Sequence, residues 1–594
     1  MINSQKGIKS IAIVLILSIS LLLFASCDKP LDSNKVTTPD NLDKIDTEIA
    51  PEDSNSNYNE GDATNIVFAS SSITVNGSGA KVQGNEVIVN SEGVFAIHGS
   101  SSNGSIIVDA GKGKEVQLVL CGVDLTNPNG CVVRVISGKK VTITIKEGTQ
   151  NTLSDGSSYN IVDENSTVDG AIFSKTDLVI NGSGILSLKG NNAHGIVSKD
   201  TLTIAGGVLD ITSKSAGLCG KDALKISGAK IKINSGSDAL RSDNDTDASL
   251  GYIFIKDGEF DLVSKNDGIQ AYNIVSIEGG TFNIKTTSTL STESSKAIKG
   301  GTTINITGGE FSINSKDDAI HSNGVITISG GNFTINSADD GIHADETLTI
   351  NGGNIVITNS YEGLEATHIV INGGYVDVTS SDDGMNASGG NDANTGVGGR
   401  PGMDMFESTN GSIIISGGYV ILHNEGDGVD ANGSIEISGG VVLVDGPSRG
   451  GNGSLDYAST AKITGGVVVT LGTSDMAQNF TEATQGSVLA KLNSGTYSAG
   501  TVMSICDENG NVILAFTSTK SFSCLLFSAP ELKQGKTYTF YKNATVNDLD
   551  KNGFAHNTTQ TGGESCGSVT LSSLITGQGS QMGGGGFPGG RPPR

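Results

Sequence analysis

The sequence predicts an all-β protein: a right-handed parallel β-helix, a solenoid of about 22 residues per coil, closed by a small C-terminal β unit. Three observations lead there. The 594 residues include 83 Gly, 10 Pro and no Trp, with 17% charged residues, which is not the make-up of a helical or α/β enzyme. A Gly-Gly pair recurs, its second glycine standing at Gly309, Gly331, Gly353 and Gly374, at intervals of 22, 22 and 21. Gly258 to Gly280 and Gly418 to Gly440 are again 22 apart, and a fixed period of this size marks a solenoid. Each repeat also alternates apolar and polar residues with β-branched types dominant, as in "VITISGGNFTI". Three short strands and their turns fill such a repeat at roughly 3.3 Å per strand residue.

The chain divides in order. Residues 1–26 read as a lipoprotein signal: Lys6 and Lys9 precede an apolar run over 11–24, followed by Ala25-Ser26-Cys27. Cys27 is then the lipidated residue, holding the chain outside the cytoplasm at the cell membrane; ordinary secretion with a free Cys27 is the other reading. Residues 27–62 are polar and poor in large apolar side chains, the composition of a disordered tether. The β-helix spans 63–475, interrupted at 388–409 by a Gly-rich segment expected to loop over its acidic face. Residues 476–545 lose the period and read as hairpins capping the open end, and 546–594 form a Gly/Pro-rich tail. Of the remaining cysteines no pair has metal-ligand spacing; Cys121 with Cys131 and Cys506 with Cys524 are either bridges or buried thiols.

Superposing the repeats gives columns. Phe260, Phe282, Phe311, Phe333, Ile355 and Val376 form an interior one. An acidic one reads Asp238, Asp267, Lys296, Asp318, Asp340, Glu362, Asp383 and Asp427, doubled by Asp317, Asp339 and Asp382. Three residues further on stand Arg241, Gln270, Lys299, His321, His343, Glu365, Asn386 and Asp430. Equivalent residues on successive coils lie about 4.8 Å apart, so the acidic column stacks like charges at that spacing. One Asp suffices for a turn. Doubled acids in register instead suit Ca²⁺, which takes six to eight oxygen ligands from carboxylates and carbonyls.

The motifs "SKAIKG", "DDAIHSNG", "DDGIHAD", "SYEGLE", "DDGMNASGGND", "GDGVDANG" and "DGPSRGGNGSLDY", in this order over 295–457, resemble the surface-exposed carbohydrate-binding parallel β-helix family. With "VQLVLCGVDL", "NTLSDGSSY" and "AIFSKTDLVINGSG" upstream, the resemblance covers residues 66 to 475. It implies a pectate-lyase-like fold, bound calcium, and cellulose and acidic sugars such as polygalacturonate as ligands. It also implies calcium ligands among Asp317, Asp318, Asp339, Asp340, Glu362, Asp382 and Asp383, with Asp427 and Asp430 beyond them.

The expected function is that of a lipid-anchored extracellular protein binding acidic plant-type polysaccharide, polygalacturonate or pectin, with cellulose as the second candidate. The membrane is reached only through the anchor, and a formal net charge of −25 makes nucleic acid no expected partner. Calcium resolves the same repulsion for a polyuronate by bridging carboxylates. Lys299, Arg241, His321 and His343 are candidate direct contacts, Lys296 is expected to pair within its own column, and without Trp only residues such as Tyr361 and Tyr375 offer stacking surfaces. Two alternatives stand beside this reading. One is a Ca²⁺-dependent polysaccharide lyase with Lys299 as base and Arg241 behind it. The other is a structural adhesin whose ladder only stiffens the coil.

Overall fold

The computed structural model describes residues 44–159, 167–290, 292–388, 410–492 and 495–577. Among them the regular structure is entirely β, and most strands join one large sheet network whose pairings are parallel except near its two ends. Each strand pairs with its counterpart one repeat later: Ile298 with Ile320, Ile320 with Ile342, and Ile342 with Leu364. This arrangement is consistent with a solenoid, and each three-strand repeat is called a rung below.

The interior follows from the alternation. In Glu310–Asn314, Phe311 and Ile313 point inward while Glu310, Ser312 and Asn314 are exposed. Phe260, Phe282, Phe311 and Phe333 stack face to face with ring centroids 4.5, 4.6 and 4.5 Å apart, the separation that strand spacing imposes. The Gly-Gly beat has a steric cause. Gly331 has φ +100°, and a Cβ there would stand 3.1 Å from both the Gly309 carbonyl oxygen and the Phe333 ring, while a Cβ on Gly330 would meet the Thr307 carbonyl oxygen at 2.4 Å.

Two boundaries differ from expectation. Residues 44–62, expected within the tether, pack along the outside of the rungs: Ile45 is buried against Ala223, Tyr252, Phe254 and Ile274. Lys225 holds Asp46 at 2.6 Å and Lys140 holds Asp53 at 2.7 Å, while the Asn181 side chain donates to the Asp53 carbonyl at 2.8 Å. A few apolar residues suffice because outward lysines supply the remaining contacts. The tail expected from 546 begins later, since Phe554–Thr558 and Glu564–Thr570 complete a five-stranded antiparallel sheet with Val502–Cys506, Val512–Thr517 and Thr537–Lys542. The interruption of the period agrees with expectation: Tyr375 pairs directly with Tyr419, so the double interval before Gly418 contains one rung and an insertion. The expected path of 388–409 over the acidic face lies outside the described residues apart from Ser388.

All six cysteines from Cys121 onward are free thiols. Residues 1–43, including the expected signal and Cys27, lie outside the described residues, among which no helix is long and apolar enough to cross a membrane.

Candidate functional site

The site is built on one row of three-residue strands, of which Ile320–Ser322 is typical. The first residue of each points into the core and the second points out. The register of outward residues runs Arg134, Phe173, Val197, Cys219, Arg241, Gln270, Lys299, His321, His343, Glu365, Asn386, Asp430 and Asp456. Polarity therefore changes along one line, from cations to acids.

The acidic column beside it has a structural role that its sequence did not disclose. Except for Glu362, each carboxylate of the column accepts a hydrogen bond from the backbone N–H one rung further on. Asp267 N–H donates to Asp238 at 3.2 Å, Lys296 to Asp267 at 2.8 Å, Asp340 to Asp318 at 3.1 Å, Glu362 to Asp340 at 3.1 Å and Asp427 to Asp383 at 2.6 Å. These bonds satisfy N–H groups at the corner, where the strand ladder is interrupted. One carboxylate oxygen per rung remains for other partners, and what it meets divides the face.

In the first part it meets fixed cations. Lys296 Nζ lies 2.8 Å from Asp317 and 2.5 Å from Asp318, and His321 Nδ1 lies 2.8 Å from the same Asp318 oxygen. Burial would raise the Asp318 carboxyl, but His321, Lys296 and His343 together hold it below the usual carboxylate range. Asp317, Asp318 and Asp339 cluster closely enough to share an ion. Even so, the Lys296 ammonium already stands at the first two, so this pair does not fit Ca²⁺ as expected. Asp339 keeps an exposed surface, but partial desolvation of its carboxyl by the neighbouring rungs, followed by repulsion from Asp340 and Asp318, pushes it up to about 7.

The middle part is mixed. His343 Nδ1 lies 3.2 Å from Glu365 and 3.4 Å from Asp340, and its ring stands edge-on to that of His321. His321 and His343 are both buried, so neither stands at the surface as a direct sugar contact requires.

The third part lacks a fixed cation. Oxygens of Asp383, Asp427 and Asp430 lie within 4.8 Å of one another, and among the described residues no Lys, Arg or His is ion-paired with them. Burial first, then repulsion from neighbouring carboxylates, pushes their carboxyls up to about 9, 7 and 8; the neighbours are chiefly Asp427 and Glu362 for Asp383, Asp456 and Asp382 for Asp427, and Asp427 and Asp456 for Asp430. Asn386 Oδ1 and Glu362 Oε2 are buried nearby without a hydrogen-bond partner, and Glu362 is itself pushed up to about 8 by burial and Asp340. Gly426 leaves this corner open: a Cβ there would stand 2.3 Å from Asp383 Oδ1 and 2.4 Å from Asp382 Oδ1. An all-oxygen donor set with orphaned acceptors and uncompensated charge fits a hard divalent cation such as Ca²⁺.

The remaining candidates separate in the same way. Arg241 is tied to Asp243 at 3.1 Å and to Asp238 at 3.7 Å, and Lys299 donates to Ser294 at 3.1 Å; both stay partly exposed. Tyr361 is 49% exposed beside the acidic rungs. Tyr375 is not an open platform: its hydroxyl bonds Asp377 and Asn552, its ring stacks on Tyr419, and Lys551 Nζ lies 4.1 Å from its centroid. It braces the C-terminal sheet. Sequence reasoning missed Tyr272, 48% exposed beside the Gln270 rung, and the exposed Leu290. The signal was an irregular period: Gly280 to Gly309 is 29 residues, and the excess forms the turn that carries Leu290 and Ser294.

Fold and face together define an all-β repeat protein whose polar residues are displayed in rows along a sheet. A family described as carbohydrate-binding domain-containing protein matches residues 83–341 and 338–504, and the chain belongs to that family. A carbohydrate-binding domain-containing protein of Acetivibrio thermocellus is 32% identical over 148 residues, which are 25% of this chain and 52% of the relative. The match thus spans about half the length of that relative. A solved structure, the polysaccharide lyase-like protein from C. thermocellum as a gadolinium derivative, is 25% identical, covers 52% of this chain and 96% of its own, and has a TM-score of 0.34.

Proposed function

We propose that the protein is a lipid-anchored extracellular binder of acidic polysaccharide, of the polygalacturonate class, which lies along the outward row of a right-handed parallel β-helix. The change of polarity along that row is the observation that carries the reading. Arg241 and Lys299 meet uronate carboxylates directly. Four to five rungs beyond Lys299, roughly 19–24 Å away, Asp383, Asp427 and Asp430 hold Ca²⁺ with Asn386, Glu362 and Asp382 at the margin. When bound, the ion supplies positive charge that can bridge protein and uronate carboxylates. Tyr361 and Tyr272 offer ring faces to sugar C–H surfaces, a contact that neutral glucans such as cellulose share.

The test is co-sedimentation with polygalacturonate in calcium. Arg241→Ala with Lys299→Ala, and separately Asp383→Asn with Asp427→Asn, are each expected to weaken binding at least tenfold while leaving a weaker association with cellulose unchanged. Full binding by both folded variants would exclude this row as the binding surface.

A further inference from the structure

A cavity of about 410 Å³ opens near the N-terminal end of the same sheet face, lined by Asn85, Glu86, Asn103, Asn129, Arg134 and Ile107 among others. Ile107 pairs with Arg134, which begins the outward row that later carries Arg241 and Lys299, six rungs from Lys299 and roughly 29 Å away. Ile107 faces outward, since Ile106 and Val108 on either side of it belong to the core, yet it is only 6% exposed because the cavity walls shade it. Its surface is an apolar floor. Around it the amides of Asn85, Asn103 and Asn129 have no hydrogen-bond partner among the described residues, Glu86 accepts from Ser105 Oγ at 3.2 Å, and Arg134 makes no ion pair.

We propose that this cavity is a second saccharide site that needs no metal ion. Amide heads carry donor and acceptor together, as sugar hydroxyls do, so a set of uncommitted amides can match neighbouring hydroxyls on a ring. The floor takes the C–H face, and Arg134 donates to the most electron-rich oxygen, a carboxylate when the sugar is a uronate. The volume lies within the range of ligand sites, roughly 300–1,000 Å³, and suits a short segment or a chain end rather than a long run of polymer. The inference rests on the polysaccharide reading but uses none of the residues assigned to calcium.

The experiment is a calorimetric titration in excess chelator, with an oligogalacturonate in one arm and a cello-oligosaccharide in the other. Wild-type protein is expected to bind at least one of them, and Arg134→Ala with Asn129→Ala to weaken that binding at least tenfold without moving the melting temperature. Calcium-dependent binding of long polygalacturonate is expected to persist in the same variant. If the melting temperature moves, Asn103→Ala, at an exposed turn, takes its place. Metal-free binding that the substitutions leave intact overturns the cavity site, as does calcium-dependent binding with no metal-free component. Absence of binding in every condition removes the polysaccharide reading itself.

Discussion

Two side chains at equivalent places in the repeat can have opposite electrostatic situations, and Asp318 and Asp383 show it. Both follow another Asp and both accept the next rung's N–H, but Lys296 reaches only the first. Replacing Lys296 with Met leaves a buried carboxylate pair without its ammonium, and is expected to cost about 3–5 kcal/mol in denaturant unfolding. Addition of calcium is expected to recover part of that loss, because the vacated position lies between Asp317 and Asp318. The reverse holds three to four rungs beyond Asp318. Asp383→Asn with Asp427→Asn removes repulsion that no cation among the described residues offsets, while the amide oxygens can still accept the backbone N–H bonds, so in chelator the variant is expected to melt no lower than wild type. Calcium is expected to raise the wild-type melting temperature and to leave that of the variant unmoved.

At the scale of elements, the period and alternation made the rungs legible, because inward residues must repeat at the same place to stack. Phe311 over Phe282 and Ile342 over Ile320 follow from that alone. The outward row was equally legible in register, but its burial was not. Whether His343 is covered depends on the side chains of neighbouring rungs, which no single repeat reports. Segments packed across the period were invisible for the same reason: Ile45 finds its pocket on residues about 180 to 230 positions away, and Phe554 joins a sheet beyond the repeats. Tyr375 belongs with these misreadings. Since its ring and hydroxyl meet Tyr419, Lys551 and Asn552, Tyr375→Ala is expected to loosen the C-terminal sheet and speed proteolysis within 495–577, while polysaccharide affinity stays within twofold. A tenfold loss of affinity with the C-terminal sheet intact would return Tyr375 to the binding surface.

The whole molecule combines a net charge of −25 with a face that concentrates acids at one end. Without metal, the raised carboxyls of Asp383, Asp427 and Asp430 mean that the folded state holds more protons than the unfolded chain between about pH 4, the ordinary carboxylate value, and their folded values of about 7 to 9. Stability in chelator is therefore expected to be greatest below about pH 4 as far as these groups decide it, and to fall as pH rises through 7 to 9. Calcium is expected to flatten that slope, as is the double Asn variant; a chelated protein whose melting is indifferent to pH over this range would argue against the uncompensated cluster. Whether a metal-bearing face receives an acidic polymer is decided by measuring polygalacturonate affinity of the folded protein in calcium and again in chelator. Chelation is expected to lower the affinity at least tenfold, with the metal-free cavity leaving a weaker residual affinity. Equal affinity in the two conditions, with the protein folded in both, would contradict that expectation.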